Sequence, residues 1–496
     1  MDMETLLSYK WSVMTPEFII LGTALLLSII DLFMGDGKSR KWLGWIGFAG
    51  IAAAVISLAF MIGAKDAVIL YDTFVLDSFA KAFKFILLLG AAIIFLLAID
   101  YEPQEGLKER GEFYYLLLAA LLGAMMMASS RDLITLFVGL ELLSISSYIL
   151  AGLRKKNLQS NESALKYVIN GGISTAITLF GMSYIYGLTG TTSLTEMIPQ
   201  LNALTESGYL YISGISFLLI FVGLSFKIAT VPFHMWAPDV YEGAPTPVTA
   251  FLSAVSKTAG FIIILRLCLS VFGNIPDEDG MQSILVVYQG FIAILAAITM
   301  IVGNTVALRQ KNIKRLLAYS SIAHAGYVLV GFVSFGGYFY FDAIWFYLLS
   351  YVIMNLGAFA IVQAVGRKTG SEDVTAFAGL YHRSPLAAIA VTIFLLSLAG
   401  LPGTAGFIGK ITIFMNAFTN STPQIVLASI MIATTVVSYF YYFGILTQVF
   451  FRKKETEEPF KWSAPLLIVT VICMIATVLL GIFPGAAFDF LNLNIS

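Results

Sequence analysis

Four ionisable side chains lie inside long apolar stretches of this sequence, and their types and positions suggest charge transfer. Lys227, Lys257 and Lys410 each interrupt a hydrophobic run, and Glu141 interrupts another. A charged side chain at the centre of a membrane helix costs roughly 2.5–3.5 kcal/mol on insertion scales. Residues of this kind mark ion and proton pathways, so the sequence predicts a protein that moves charge across a membrane.

The composition is that of a membrane protein with many spans. Of the 496 residues, 58% are hydrophobic and only 12% are charged, whereas soluble domains carry about 25% charged residues. Cys268 and Cys473 lie far apart in apolar runs and are interpreted as buried small side chains, not as a disulfide or a metal pair. The sequence has no Cys-x-x-Cys pair and no Gly-rich phosphate loop. We therefore predict no metal, redox or nucleotide site.

Hydropathy predicts an all-α polytopic fold. A helix needs about 20 apolar residues to cross the hydrocarbon core, and by this criterion the chain has about fourteen spans. They are predicted at 14–34, 43–63, 74–99, 113–129, 133–153, 163–188, 209–231, 247–272, 283–307, 316–335, 340–366, 385–419, 424–451 and 462–483. The stretch 385–419 is too long for one straight crossing, so its helix must be tilted or broken.

Basic residues in the predicted loops indicate the orientation. The loops after odd-numbered spans contain Lys38, Arg40, Lys41, Lys108, Arg110, Arg154, Lys155, Lys156, Arg309, Lys311, Lys314, Arg315, Arg367, Lys368, Arg383, Arg452, Lys453, Lys454 and Lys461. The loops after even-numbered spans contain only Lys65 and Arg131. Because basic loops remain in the cytoplasm, both termini are predicted to face outward from a cell inner (cytoplasmic) membrane.

Three pairs of segments indicate an internal repeat. SSYILAGL resembles AGYVLVGF, ALKYVINGG resembles LLSYVIMNLG, and FKIATVPF resembles GKITIF, with nearly constant separation. Each pair is about five spans apart, an odd number, so the two units must be inverted, as in many transporters. Chance similarity between apolar helices is the alternative. The predicted divisions are 1–112, a three-helix segment; 113–272 and 283–451, two inverted five-helix repeats; and 452–496, a C-terminal helix.

Two of the lysines lie beside predicted helix breaks. Pro232 follows Lys227 and removes a helical hydrogen bond, and Pro402 and Gly403 precede Lys410. Carbonyl groups freed at a break can stabilise an ammonium group and admit water. A lysine that snorkels to the surface from a helix end is the alternative. Because the repeat relates the two breaks, we favour a transport site.

Other polar residues extend this candidate site. Glu141 and Lys227 are predicted to form a charge pair whose strength changes when a proton arrives. His324 either relays protons, since histidine changes charge near physiological pH, or is a hydrogen-bonded core residue. Lys166 is either part of the site or a surface pair with Glu162, four residues earlier.

A further group of charges, near the start of the third span, is interpreted as structural. Asp77, Lys81 and Lys84 are spaced to pair with one another along one polar helix face. Arg266, near the end of its span, is expected to snorkel to the membrane surface.

The residues around the lysines carry a family resemblance. The segments KIATVPFHMWAPDVYEGAPTPVTAFLSAVSK (227–257) and LAGLPGTAGFIGK (398–410) are similar to the antiporter-like membrane subunits of proton-pumping NADH:quinone oxidoreductase, respiratory complex I. The run Pro238–Tyr241 reads Pro-Asp-Val-Tyr, which resembles the N subunits, whereas L, M and cation/proton antiporter subunits typically read Pro-Asp-Ala-His there.

The resemblance implies a role and a site. It implies a non-redox subunit that helps to translocate protons, with Glu141, Lys227, Lys257 and Lys410 as functional residues and Lys166 and His324 as additional candidates. It implies that this chain binds no cofactor, that NADH, FMN, iron–sulfur clusters and quinone belong to other subunits, and that its partners are neighbouring membrane subunits and the lipid bilayer, with no nucleic acid. The alternatives are a cation/proton antiporter subunit, a ferredoxin- or hydrogenase-linked complex, and a purely structural subunit.

Overall fold

The computed structural model describes residues 7–35, 38–101, 111–203, 210–275, 283–335, 340–419, 424–453 and 462–495. Over these ranges the chain is a helical bundle with one two-stranded hairpin. The basic residues Lys108, Arg110, Lys454 and Lys461, on which part of the orientation argument rests, lie outside the described residues.

The first half of the bundle contains α1 (Thr15–Phe33), α2 (Lys41–Ala59), the antiparallel strands β1 (Ala67–Ile69) and β2 (Phe74–Leu76), α3 (Ser78–Asp100), α4 (Glu112–Ser129), α5 (Leu133–Ala151), α6 (Leu158–Thr189), α7 (Leu194–Ala203), α8 (Leu210–Ile228), α9 (Trp236–Gly243) and α10 (Thr246–Phe272). The second half contains α11 (Gln289–Ala307), α12 (Ile313–Val333), α13 (Tyr340–Thr369), α14 (Pro385–Ala399), α15 (Ala405–Thr419), α16 (Ile425–Phe451), α17 (Ala464–Ile482) and α18 (Gly485–Ile495). One-turn helices occupy Trp11–Met14, Ile284–Val287, Val374–Phe377 and Leu380–Arg383, and α10 contains π-helical turns at Leu252–Ser256 and Cys268–Phe272.

The predicted polytopic fold is confirmed. Within the described ranges, 13 helices are long and apolar enough to cross a membrane. The predicted span 385–419 is broken into α14 and α15, each 15 residues long. Gly400 and Gly403 between them have φ of +82° and +84°, a left-handed conformation that ends a helix and that glycine adopts without strain.

Together α14 and α15 make one further crossing. The start of α14 lies beside the end of α16, since the Gly379 N–H, shortly before α14, donates to the Gln448 carbonyl near the end of α16 at 3.1 Å. The end of α15 lies beside the start of α16, because Gln424 N–H donates to the Ala417 carbonyl at 3.0 Å. The two half-helices therefore run antiparallel to α16 over its length, and the predicted number of spans is accounted for.

The predicted interruption after Lys227 is also present. Helix α8 ends at Ile228, and Ala229 has a φ of +57°. After a turn the chain forms the short helix α9, and the Trp236 indole donates to the Phe226 carbonyl at 3.0 Å. This bond satisfies one of the carbonyl groups that the end of α8 leaves without a helical partner.

Polar loops meet on one face of the bundle, which we call the basic-loop face. Arg154 donates to the Gly243 carbonyl at 2.6 Å, and Lys314 pairs with Glu372 at 2.8 Å. The Lys314 amine also donates to the Ala244 carbonyl at 2.9 Å, so these contacts join the loop after α5, the end of α9, the start of α12 and the loop after α13. Several loops that were predicted to be cytoplasmic therefore lie together.

Four helices form the centre of the bundle. Helices α3, α10, α12 and α13 are buried along most or all of their apolar length, whereas α1, α2, α6 and α17 are largely exposed. The exposed apolar side chains of the outer helices suit contact with lipid. Polar groups on the central helices are thus sheltered from lipid by protein.

The interpretation of the charges near the third span as self-paired is wrong. Asp77 pairs with Arg266 at 2.6 Å, and Lys84 pairs with Glu17 of α1 at 2.5 Å, with both side chains almost fully buried. Lys81 lies 3.6 Å from the exposed Asp66. Arg266 does not snorkel, because its side chain is only 5% exposed. Asp77 and Lys84 find their partners on other helices, α10 and α1, and Lys81 finds its partner in a loop, so spacing along α3 could not identify any of them.

The buried Glu17–Lys84 pair should be important for stability. Replacing Glu17 by glutamine is expected to destabilise the protein by about 3–5 kcal/mol, because the Lys84 ammonium group stays buried without its counter-charge. Thermal unfolding of the purified assembly in detergent measures this. Asp66→Asn, which affects a pair that is 55% exposed on the acid side, should change stability by less than about 1 kcal/mol. Equal losses in both variants would contradict the argument.

Candidate functional site

Lys227 is the second-last residue of α8 and lies immediately before the first helix break. Its residue exposure is 4%. The amine donates to the Ser144 hydroxyl of α5 at 3.2 Å and lies 5.9 Å from the centre of the Tyr167 ring. Lys227 is therefore buried, and its side chain points into the bundle.

Glu141 does not touch Lys227. Among the described residues no ion pair within 4 Å joins the two, although their charges interact through space. Glu141 precedes Ser144 by three residues on α5, so the lysine amine contacts the next turn of the helix that carries the acid. One oxygen of Glu141, Oε1, is buried and has no hydrogen-bond partner within the described chain.

Lys257 follows directly after the π-helical turn Leu252–Ser256. Its amine donates to the Ser321 carbonyl at 2.9 Å and to the Ser321 hydroxyl of α12. Lys257 and His324 also line a small cavity of about 10 Å³, which is close to the space that one water needs. Turns of π-helix occur often at functional sites.

His324 lies between hydroxyl groups. Its Nδ1 is 2.7 Å from the Tyr347 hydroxyl, and its Nε2 is 3.4 Å from the Tyr442 hydroxyl. Tyr442 is in turn hydrogen-bonded to Ser320. A neutral imidazole can accept a proton at one nitrogen and release one from the other. The structure thus places His324 in a network suited to proton relay.

Lys410 occupies the second helix break. Its amine donates to the carbonyls of Leu398 and Ala399 at 3.0 and 3.1 Å, and these belong to the last turn of α14, where helical partners are missing. Freed carbonyl groups thus lie where the sequence predicts that they could stabilise an ammonium group. A Cβ atom at Gly400 would lie 2.7 Å from Lys410 Cδ, so the lysine needs a glycine at that position.

These residues form one row across the centre of the bundle. A Cβ at Gly260, one turn beyond Lys257 on α10, would lie 3.2 Å from Lys227 Cγ, so Lys227 packs against the helix of Lys257. On α12, Ser321, His324 and Tyr327 follow at three-residue intervals. Lys257 contacts Ser321, and the Lys410 amine lies 4.6 Å from the centre of the Tyr327 ring. The row runs from Lys227 through Lys257 and His324 to Lys410.

Lys166 does not belong to this row. It pairs with Glu162 at 2.6 Å and with Asp239 at 2.5 Å near the basic-loop face, and its side chain is 40% exposed. Asp239 also pairs with Arg315 at 2.6 Å. Burial raises the pKa of Asp239, but the hydrogen bonds from Lys166 and Arg315 outweigh it and hold this pKa below its usual value. This arrangement agrees with the alternative that Lys166 forms a surface pair with Glu162, and Asp239 is a second acidic partner.

Several hydroxyl and amide residues of the site were missed in the sequence. Tyr347, Tyr351 and Asn355 recur every four residues along α13 and are buried. This spacing places them on one helix face, and it was a usable signal. Tyr442 gave no comparable signal, because its link to His324 joins residues of distant spans.

The two cysteines are free and buried, which confirms their interpretation. Among the described residues, no group of three or more His, Cys, Asp or Glu side chains lies together as metal ligands would. That this chain holds no cofactor stays a prediction.

Comparison with known proteins identifies the family. Residues 130–438 match the family described as NADH:quinone oxidoreductase/Mrp antiporter, TM. NADH-quinone oxidoreductase subunit N of Geobacillus sp. (strain WCH70) is 62% identical over 99% of this chain and 100% of its own length. The chain belongs to the subunit N family. The predicted resemblance is therefore confirmed.

Solved structures agree with this subunit N membership. A chain of respiratory complex I from Thermus thermophilus with bound aureothin is 32% identical, with a TM-score of 0.78 over 95% of this chain and 98% of that one. A chain of the Mrp complex from Dietzia sp. DQ12-45-1b has a TM-score of 0.81 at 20% identity over 98% of this chain and 97% of that one, which supports the fold alone. The repeat boundaries and the roles of single residues stay predictions.

Proposed function

We propose that this chain translocates protons as a membrane subunit of NADH-quinone oxidoreductase, while the redox chemistry takes place on other subunits. The observation that carries the proposal is the row of buried groups Lys227, Lys257, His324 and Lys410. The first three hydrogen-bond to serine or tyrosine hydroxyls, and Lys410 donates to a carbonyl at a helix end. Ionisable groups are costly at this depth, and no stabilising purpose requires three buried lysines that lack a carboxylate within 4 Å among the described residues.

The row divides the membrane crossing into short transfers. A lysine amine can hold a proton where hydroxyls and free carbonyls stabilise the ammonium, and can pass it on when its surroundings change. Protons reach the row through water-filled half-channels at the breaks beside Lys227 and Lys410, then move through Lys257 and His324. Breaks suit this purpose because irregular backbone in a membrane is tolerated where it lines a hydrated cavity.

Glu141 couples this chain to its neighbours through electrostatics. Its side chain is only partly buried, on a helix whose other side chains include the exposed Ile134, Val138 and Ile145. Such a position suits contact with an adjacent membrane subunit of complex I. A change of charge in the adjacent subunit, next to Glu141, acts through space on Lys227, because charges are screened only weakly in the low dielectric of the membrane interior.

The proposed setting is the inner membrane with both termini outside. Its support is the gathering of basic loops on one face, which the positive-inside rule assigns to the cytoplasm. NADH, FMN, iron–sulfur clusters and quinone are then held by other subunits, and the chain contributes to the enzyme as its proton-translocating part.

Inverted membrane vesicles containing the assembled complex test this function. Addition of NADH and quinone is expected to acidify the vesicle lumen, and a protonophore should abolish the gradient. Sodium/proton exchange without NADH or quinone would favour an antiporter subunit instead. Quinone reduction without any acidification would contradict the proposal.

A further inference from the structure

A polar cavity of about 500 Å³ opens on the basic-loop face. Asp100, Arg154, Glu242, Arg367 and Glu372 contribute charged groups to its wall. The wall is held by ion pairs, including Arg367 with Asp100 at 2.9 Å. A cavity of this size and polarity has room for many waters, and none of its lining residues belongs to the lysine row.

The inner end of the cavity has an unsatisfied polar group. Gln363 of α13 is 4% exposed, and its amide nitrogen donates to the Leu97 carbonyl at 2.9 Å. Its carbonyl oxygen, Oε1, is buried without a hydrogen-bond partner in the part of the chain that the structure describes. A buried acceptor of this kind is normally satisfied by a donor such as water, so water is expected to reach this depth.

A stripe of small and polar residues leads inward from the cavity along α10. Thr246 lines the cavity, and Ala250, Ser253 and Lys257 follow at helical spacing on the same face. From Thr246 to Ser253 the helix rises about 10 Å, and Lys257 is about 6 Å further.

A matching stripe runs along α13, which is antiparallel to α10. Gln363 lines the cavity, Asn355 lies two turns deeper, and Tyr351 lines the small cavity that also contains Lys257. The two stripes meet where the Asn355 amide donates to the Ser253 hydroxyl at 2.8 Å. Both residues are buried. Phe359 lies at the same helical spacing between Gln363 and Asn355 and is fully buried, so an apolar residue interrupts the polar residues of this stripe.

The backbone of α10 supports the same route. Ser253 lies within the π-helical turn Leu252–Ser256, directly before Lys257. A π-turn departs from regular helical hydrogen bonding, and such turns are frequent at functional sites. The irregular backbone therefore occurs at the depth where the two stripes meet.

We propose that the cavity and the two stripes form a further inlet, in addition to the half-channels at the two helix breaks, through which water and protons reach Lys257 from the basic-loop face, and that the Asn355–Ser253 hydrogen bond, with Phe359, is its gate. The inference rests on the proposed function. Apolar constrictions in channels gate by excluding water. Opening this gate requires a rearrangement of three side chains, those of Asn355, Ser253 and Phe359, whereas the rest of the route is polar or lined by small residues.

Thiol accessibility tests the inlet without reference to proton pumping. Ser253→Cys and Val255→Cys lie in the same π-turn, but Val255 faces α3, where a Cβ at Gly90 would lie 2.7 Å from its Cγ2. Inverted vesicles with the assembled complex are treated with methanethiosulfonate ethylammonium, and the wild type with its buried Cys268 and Cys473 sets the background. Ser253→Cys should be modified at least about tenfold faster than Val255→Cys, because only a hydrated thiol ionises and reacts. Equal rates, or no modification above background, would overturn the inlet.

Two substitutions of Asn355 separate a gate from a packing contact. Asn355→Leu conserves volume but removes polarity, and should reduce NADH-driven acidification about tenfold at matched assembly. Asn355→Ser keeps a hydrogen-bonding group and makes room for water. This variant should retain more than about half of the wild-type acidification. A packing role predicts the reverse order, with leucine tolerated and serine harmful. If the wild type itself showed no acidification, only the proposed function would be overturned. The inlet would still be tested, because thiol modification does not depend on proton pumping.

Discussion

Replacing Lys227 by methionine is expected to reduce donor-driven acidification of inverted vesicles by about tenfold or more, with quinone reduction slowed in parallel. Methionine has nearly the same length as lysine but carries no titratable group. Because Lys227 donates only to the Ser144 hydroxyl among the contacts of the described chain, its loss leaves one neutral partner and little structural damage. The amount of assembled complex should stay within about twofold of wild type.

A matched control separates the effect of position from that of charge. Lys155→Met removes the same group from an exposed site on the basic-loop face and should leave acidification unchanged. Glu141→Gln should reduce pumping as Lys227→Met does, since Glu141 is the acid whose charge acts on Lys227. Normal pumping in both Lys227→Met and Glu141→Gln would mean that the buried charges are structural, and the proposed mechanism would have to be abandoned.

Lys410→Met is expected to abolish pumping and to destabilise the protein as well. Without the ammonium group, the Leu398 and Ala399 carbonyls at the end of α14 lose their donor. Leaving buried polar groups unsatisfied costs about 1–3 kcal/mol each. Acidification and thermal unfolding of the same preparation measure the two effects together. Lys227→Met should lose pumping without losing stability, because Lys227 does not stabilise the carbonyl groups at the end of a broken helix.

Two companion variants make the expectation for Lys410 stricter. Lys410→Arg keeps the positive charge and should preserve the stability of the break, but not pumping, because arginine does not release its proton. Gly400→Ala keeps the lysine but places a methyl group 2.7 Å from its Cδ, at a position where alanine is strained. It should therefore impair pumping although the charge remains. Wild-type pumping in Lys410→Arg would show that the positive charge alone is needed, not the transfer of a proton.

The structure also bears on the alternative of a purely structural subunit. A helix bundle can be stabilised by buried pairs such as Glu17 with Lys84, where each charge has a partner. Lys257 and Lys410 differ, since their hydrogen-bond partners within the described chain are hydroxyl and carbonyl groups. Charges without counter-charges add little stability, so their presence argues for function.

Local physics made much of this protein predictable from its sequence. Crossing a membrane requires about 20 apolar residues, so the spans could be predicted from hydropathy. Helix breaks follow from proline and glycine, so the ends of α8 and α14 were expected near Pro232 and Pro402. Lysines in apolar runs were expected to be buried. The structure buries Lys227, Lys257 and Lys410.

The partner of each buried charge was decided only by the tertiary structure. Asp77 pairs with Arg266 and not along its own helix, and Lys166 contacts Asp239 as well as its helical neighbour. Glu141 and Lys227, expected as a pair, do not touch, because the packing of α5 against α8 brings the amine to Ser144. Helical spacing determines which residues share one face of one helix. Which faces meet depends on the packing of many spans, and no local pattern in the sequence contains that information.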